Sequence, residues 1–249
     1  TGGFLFVLTD LPSVVLTSGL MSVFAAGWVS VFLRSPAPVA ERRNPTSTSP
    51  SGEVKEAEQT SVAWLVMATV TSAHFLYYVG QAFLDAFFSV VCAEKFGFQP
   101  GVLGLMITSV ACLVFFISTI VYSRIVQRFG VVRTAIVGLL SVATGFLLLT
   151  VPWTLSAVAA SMLFYGIGVP LFTPSIPSIL AQCAPRDRRG FVLGIDSFVC
   201  LIARIGSPAL LGMLYKRSLE STFGWAGLAV LAGAALMAMQ QQRLREVLH

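Results

Sequence analysis

Few side chains in this sequence can do chemistry, and five of them share one helical face. His74, Tyr78, Gln81, Asp85 and Phe88 follow one another in steps of four, three, four and three. At about 100° per residue they fall within roughly 80° of arc. The residues around them are otherwise apolar. One reading is a satisfied interhelical hydrogen-bond network. The other is a cavity wall, with Asp85 as a proton or cation site. A carboxylate held away from water can load and unload a proton near neutral pH. His74 reads either as a proton relay or, more often for a single His in an apolar helix, as a buried hydrogen-bonding group.

Two more charges interrupt an apolar run further on. Asp196 and Arg204 lie eight residues apart, about 80° around a helix, so they are not stacked neighbours. Each reads either as half of a charge pair with another helix or, for Arg204, as a contact for an anion or substrate. An unpaired Arg deep in hydrocarbon is disfavoured. Gly166-Ile167-Gly168-Val169-Pro170 is followed by Pro174 and Pro177. Three prolines in eight residues remove backbone donors and kink a helix, either for packing alone or where backbone lines a cavity. Tyr165 and Phe172, seven apart, are expected on one face, where they could stack on an aromatic solute. Cys92, Cys112, Cys183 and Cys200 have no CxxC or paired spacing, so the sequence suggests neither a disulfide framework nor a metal set. No nucleotide loop or catalytic triad is visible, and no cofactor is expected.

The elements that must position these groups follow from composition. Of 249 residues, 56% are apolar and 11% charged, with a mean hydropathy of +0.84. Soluble domains run near 45–50% and 25%. An ordinary cytosolic enzyme and a disordered chain are both disfavoured. A helix needs about 20 apolar residues to cross a bilayer. Seven segments qualify: residues 14–33, 61–91, 101–122, 134–151, 155–184, 190–215 and 223–239. The predicted fold is therefore all-α, a polytopic membrane helix bundle. Residues 35–60 are rich in Pro, Ser and Thr and then carry EVKEAEQ; they read as a linker whose acidic half could form a short surface helix. Gly97, Gly101 and Gly104, and Gly190, Gly194, Gly206 and Gly212, read as places where helices approach closely.

The net charge of +5 reads first as topology. If the seven spans alternate, one side receives twelve of the sixteen Lys and Arg residues, and the other receives three. That split places the linker and the C-terminus in the cytoplasm. No basic stripe on a soluble fold suggests nucleic-acid binding. The chain begins at Thr1, which reads as a fragment or processed product, without a signal-peptide pattern.

Three passages resemble the major facilitator superfamily, in its drug/proton-antiporter and tetracycline-resistance-like branch. Residues 94–104, EKFGFQPGVLG, look like the outer loop entering the family's eighth helix. Residues 123–133, SRIVQRFGVVR, resemble the second copy of its cytoplasmic signature G-x-L-x-D-R-x-G-R-R-x. Ile125 stands for the Leu, Arg128 for the Arg and Gly130 for the later Gly, while Ser123 and Gln127 replace the first Gly and the Asp. Residues 185–212, with the ARIGSP segment, look like the family's tenth loop and eleventh helix.

The resemblance implies helices six to twelve of a two-lobed transporter. Residues 1–34 would end the first half, 35–60 would form the central linker, and 61–249 would be the second six-helix half. It implies proton-coupled movement of a small organic solute by alternating access, completed by a missing N-terminal half. Asp85 would be the ionisable cavity group, with His74, Tyr78 and Gln81 beside it. Tyr165, Phe172, Phe88 and Arg204 would line the path. Arg124, Gln127, Arg128, Gly130 and Arg133 would form the cytoplasmic loop motif, where the arginines cap helix ends or meet anionic lipid. The second function class is a transport-inactive structural or assembly subunit of a membrane complex, compatible with Gln127 at the signature Asp position.

Overall fold

The computed structural model describes residues 50–150, 154–185, 187–215 and 219–242. The expected span at 14–33, most of the 35–60 linker and the basic residues Arg186, Arg243 and Arg245 lie outside the described residues. Everything described is helix, short turn or cap.

The first rod, α1 (Pro50–Phe96), has 47 residues and is about 70 Å long. Pro50 suits the first helical position. The acidic half of the expected linker is therefore not a separate surface helix; it runs unbroken into the span, whose membrane-compatible part is Ala63–Phe96. Gly97 ends α1 with a φ of +63°, and Pro100 starts the next helix. The second rod is α2 (Pro100–Phe116), a π-helical turn at Ile117–Val121, and α3 (Tyr122–Phe129). Gly130 joins α3 to α4 (Val131–Leu148) with a φ of +83°, a conformation other residues adopt only with strain. Thr154 caps α5 (Leu155–Phe172) by accepting from the Ala157 N–H. The chain breaks at Thr173-Pro174 and continues as α6 (Ser175–Cys183). Pro170 sits inside α5, buried, so the proline cluster does produce a broken helix. The last two helices are α7 (Arg189–Tyr215) and α8 (Leu219–Met239). Six helical segments among the described residues are long and apolar enough to cross a bilayer.

Helix α1 is central, packed against α7, α8 and α6. Helices α4 and α5 form the closest pair, α8 bridges α4 to α1, and α2 leans on α5 while barely touching α1. Tyr77, Phe83, Phe146, Phe172 and Phe223 fill the interior. Apolar attraction between helices is weak in lipid, so small residues and interhelical hydrogen bonds must hold them. Both occur between α4 and α5. A Cβ on Gly168 would lie 2.6 Å from the Gly138 carbonyl oxygen, and one on Gly145 would lie 2.9 Å from the Ser161 carbonyl oxygen. The Ser161 hydroxyl donates to the Gly145 carbonyl and the Ser141 hydroxyl to the Phe164 carbonyl, both at 2.7 Å.

The glycine expectation needs correction. Among the described residues nothing lies against Gly190, Gly194 and Gly206, and of that set Gly212 alone meets a neighbour, the Phe87 ring at 3.2 Å. Helix α7 instead exposes a row of large apolar side chains, among them Phe198, Ile202 and Ile205. The closest backbone approaches are at Gly138, Gly145 and Gly168, because α4 and α5 stack along their length, and Gly80 and Gly233 bring α1 and α8 together in the same way.

Substituting Gly168→Val should therefore destabilise the protein by about 1–3 kcal/mol through overpacking. Gly206→Ala should leave thermal stability in detergent unchanged or slightly raised. Equal losses at both positions would contradict this packing.

Candidate functional site

The α1 stripe enters two different environments. At one end His74 is buried, with Nδ1 2.9 Å from Asp196 Oδ2 and 3.2 Å from Cys200 Sγ. Asp196 and Cys200 are one turn apart on α7, which puts both on the face turned to α1. The imidazole lies among Tyr77, Tyr78 and Phe172, with ring centroids 6.4, 4.8 and 5.7 Å away. His74 Nε2 and Asp196 Oδ1 are buried without a hydrogen-bond partner among the described residues. His74 thus sits in the α1–α7 interface rather than on a cavity wall, and Asp196 pairs with it rather than with Arg204.

At the other end α1 and α2 diverge. Between them and α5 lies a cavity of about 590 Å³. Asp85, Phe88 and Ser89 come from α1, Met106, Phe115 and Ser118 from the second rod, and Met162 and Tyr165 from α5. Asp85 is exposed to it and is the one carboxylate in a lining otherwise apolar, aromatic and sparsely hydroxylated. Phe88 borders this cavity and also reaches the core.

Two expectations about the path separate here. Tyr165 lines the cavity, but Phe172 is wholly buried against Tyr77 and His74. Seven residues carry a helix to about 20° short of two full turns and about 10 Å along its axis, and Phe172 is the last residue before the break. Tyr78 and Gln81 are half-buried between the two ends. The exposed Arg204 places its guanidinium over the Tyr78 ring, 5.6 Å from the centroid. At an exposed cation such a contact stabilises by about 0.5–1 kcal/mol. The sequence pattern did not single out Cys200, although its spacing from Asp196 carries the signal. Ser89, Met106 and Met162 carried no signal beyond apolar or small character.

In the loop motif, Arg124, Gln127, Arg128, Gly130 and Arg133 are all exposed. Arg128 lies over the Phe129 ring at 5.8 Å. The Thr134 hydroxyl donates to the Gly130 carbonyl at 2.8 Å, closing the start of α4.

A family model described as Major Facilitator Superfamily matches residues 70–245, from within α1 to the end of α8 and beyond. The chain belongs to the Major Facilitator Superfamily. This makes it part of an integral, multi-pass membrane protein of a transporter family rather than an enzyme. It is 25% identical over 172 residues to Multidrug resistance protein 2 of Bacillus subtilis (strain 168), covering 68% of this chain and 42% of that protein. It is 26% identical over 160 residues to Multidrug resistance protein 1 of the same organism, covering 63% and 40%. The chain therefore spans about two fifths of the length of these relatives. The fold is similar to a peptide transporter POT crystallised with sulfate, with a TM-score of 0.59, 21% identity and coverage of 73% and 38%. It is also similar to a bacterial homologue of the human drug peptide transporters, with a TM-score of 0.63, 15% identity and coverage of 73% and 43%.

For this superfamily member the His74–Asp196 contact has a measurable consequence. Removing one partner of a buried side-chain hydrogen bond leaves the other unsatisfied and costs about 1–3 kcal/mol. His74→Ala should destabilise by that order, and a double-mutant cycle with Asp196→Ala should return a coupling of about 1–3 kcal/mol. Additive effects of the two substitutions on thermal unfolding in detergent would contradict the contact.

Proposed function

We propose that this chain supplies the second lobe of a secondary active transporter that exports or exchanges a small organic solute by alternating access, coupled to protons. The observation that carries this reading is the single carboxylate in the cavity between α1, α2 and α5. Asp85 alternately binds a proton and an attractive charge or dipole of the solute. Protonation removes the negative charge that holds the solute and so links the two fluxes. Tyr165 on the facing helix and Phe88 stack on the solute, while Tyr78 and Gln81 position it near Asp85. Arg204, seated on Tyr78, limits how negative the region becomes and disfavours strongly cationic cargo. The similarity to multidrug resistance proteins supports a small organic cargo, and the mostly apolar lining supports an apolar or aromatic one.

The transporter is completed by a six-helix N-terminal lobe facing this cavity. In that arrangement residues 1–34 close the first lobe, 35–60 link the lobes on the cytoplasmic side, and 61–249 form the second lobe. The C-terminus lies in the cytoplasm, on the side favoured by the Lys and Arg distribution. A second reading rests on Gln127, where the signature of the family carries Asp: a transport-inactive subunit that serves assembly of a membrane complex.

Flux of solute and protons through the full-length protein in proteoliposomes distinguishes them. Wild type should move solute uphill when a pH gradient is imposed. Asp85→Asn should abolish gradient-driven accumulation by at least tenfold while the protein keeps its thermal stability. Undiminished gradient-driven accumulation in Asp85→Asn would overturn the coupling role. No flux in folded wild type, for a panel of aromatic and amphipathic solutes, would favour the assembly reading.

A further inference from the structure

We infer that His74, Asp196 and Cys200 form a binding site for a borderline divalent transition-metal ion, of the zinc, cobalt or cadmium kind, that clamps α1 to α7. The three residues are buried, and their ligand atoms lie within 4.8 Å of one another. Imidazole nitrogen, carboxylate oxygen and thiolate sulfur are the donors such ions take, at about 2.0, 2.0–2.2 and 2.3 Å. On a tetrahedron, bonds of those lengths separate nitrogen from oxygen by about 3.3 Å and nitrogen from sulfur by about 3.5 Å. The observed separations from His74 Nδ1 are 2.9 Å to Asp196 Oδ2 and 3.2 Å to Cys200 Sγ. The carboxylate oxygen and the sulfur set the wider spread, within 4.8 Å, against a tetrahedral edge of about 3.6 Å. Admitting the ion therefore takes an outward shift of the ring nitrogen by a few tenths of an ångström and a rotation of the Asp196 and Cys200 side chains toward each other.

The arrangement without an ion also points this way. Both Asp196 and Cys200 converge on the same ring nitrogen. In a nucleophilic triad the acid and the thiol would take opposite nitrogens of the ring, so a Cys–His–Asp catalytic relay does not fit. One N–H on Nδ1 cannot serve both partners fully, and Asp196 Oδ1 has no hydrogen-bond partner among the described residues. Asp196 Oδ1 or a water supplies the fourth position. Charge favours the site as well. A divalent ion with one carboxylate and one thiolate is neutral, which suits burial at membrane depth. Binding displaces the Cys200 thiol proton to solvent as the sulfur–metal bond forms, and the imidazole proton leaves Nδ1 for Nε2 as the nitrogen–metal bond forms. The ligand set joins two helices, as metal clips do.

The test is titration of the purified full-length protein with cobalt(II) chloride under reducing conditions, read by absorption. Wild type should take up one equivalent with tetrahedral d–d bands and a thiolate-to-cobalt charge-transfer band. Cys200→Ser should lose the charge-transfer band and weaken cobalt binding by at least about tenfold. Cys112→Ser, at an exposed thiol, should keep both. Zinc should raise the melting temperature of wild type and of Cys112→Ser but not of Cys200→Ser. Cobalt uptake without a thiolate band, a band that survives Cys200→Ser, or no uptake by folded wild type would overturn the site.

Discussion

The contact between His74 and Asp196 fixes the rotation of α1, and the cavity depends on that rotation. In lipid there is little apolar preference for one helix face over another. A long central helix therefore needs a directional contact to choose its register. The imidazole, held 2.9 Å from the carboxylate within an aromatic nest, supplies one. Eleven residues further along, Asp85 lies only about 20° from His74 around the axis and about 16 Å along it. Once His74 turns toward α7, Asp85 has little freedom to turn elsewhere.

The same meridian of α1 meets two solvents because its neighbours differ along its length. Helix α7 covers the His74 end, and the rod of α2 and α3 leans away onto α5 at the Asp85 end. The divergence opens the 590 Å³ cavity. Tyr78 stands between the two zones, touching His74 on one side and carrying Arg204 on the other. Cation, aromatic ring and acid thus form a graded sequence from the helix interface to the cavity, and a change at one end reaches the other through few intermediates. The rigid wall opposite is the α4–α5 pair, held by glycine contacts and serine hydrogen bonds.

Much of this was legible in the residues. Lengths of apolar sequence set six of the described helices, and Gly130 and the prolines of α5 marked the turn and the break, because these signals are local. The α1 stripe was visible as periodicity, but not its division, since periodicity says which residues share a face and not what covers that face. Asp196 was visible as a costly charge and its partner was not: a contact across 122 positions depends on how α1 and α7 meet. The small residues of α7 misled for the same reason. Gly190, Gly194 and Gly206 have the spacing of a packing face but nothing packed on it among the described residues, whereas Gly138 and Gly145 drew no notice in an ordinary apolar run. Phe172 failed as a path residue because a short step in sequence crossed from cavity wall to core.

The most direct test of this account is the solvent accessibility of position 85. In the full-length protein with Cys112→Ser, the Asp85→Cys thiol should react readily with a charged, membrane-impermeant methanethiosulfonate, and Phe83→Cys, two residues away and fully buried, should not. An Asp85→Cys thiol that ignores the charged reagent yet reacts with a lipid-soluble maleimide would place the side chain against acyl chains and contradict the account.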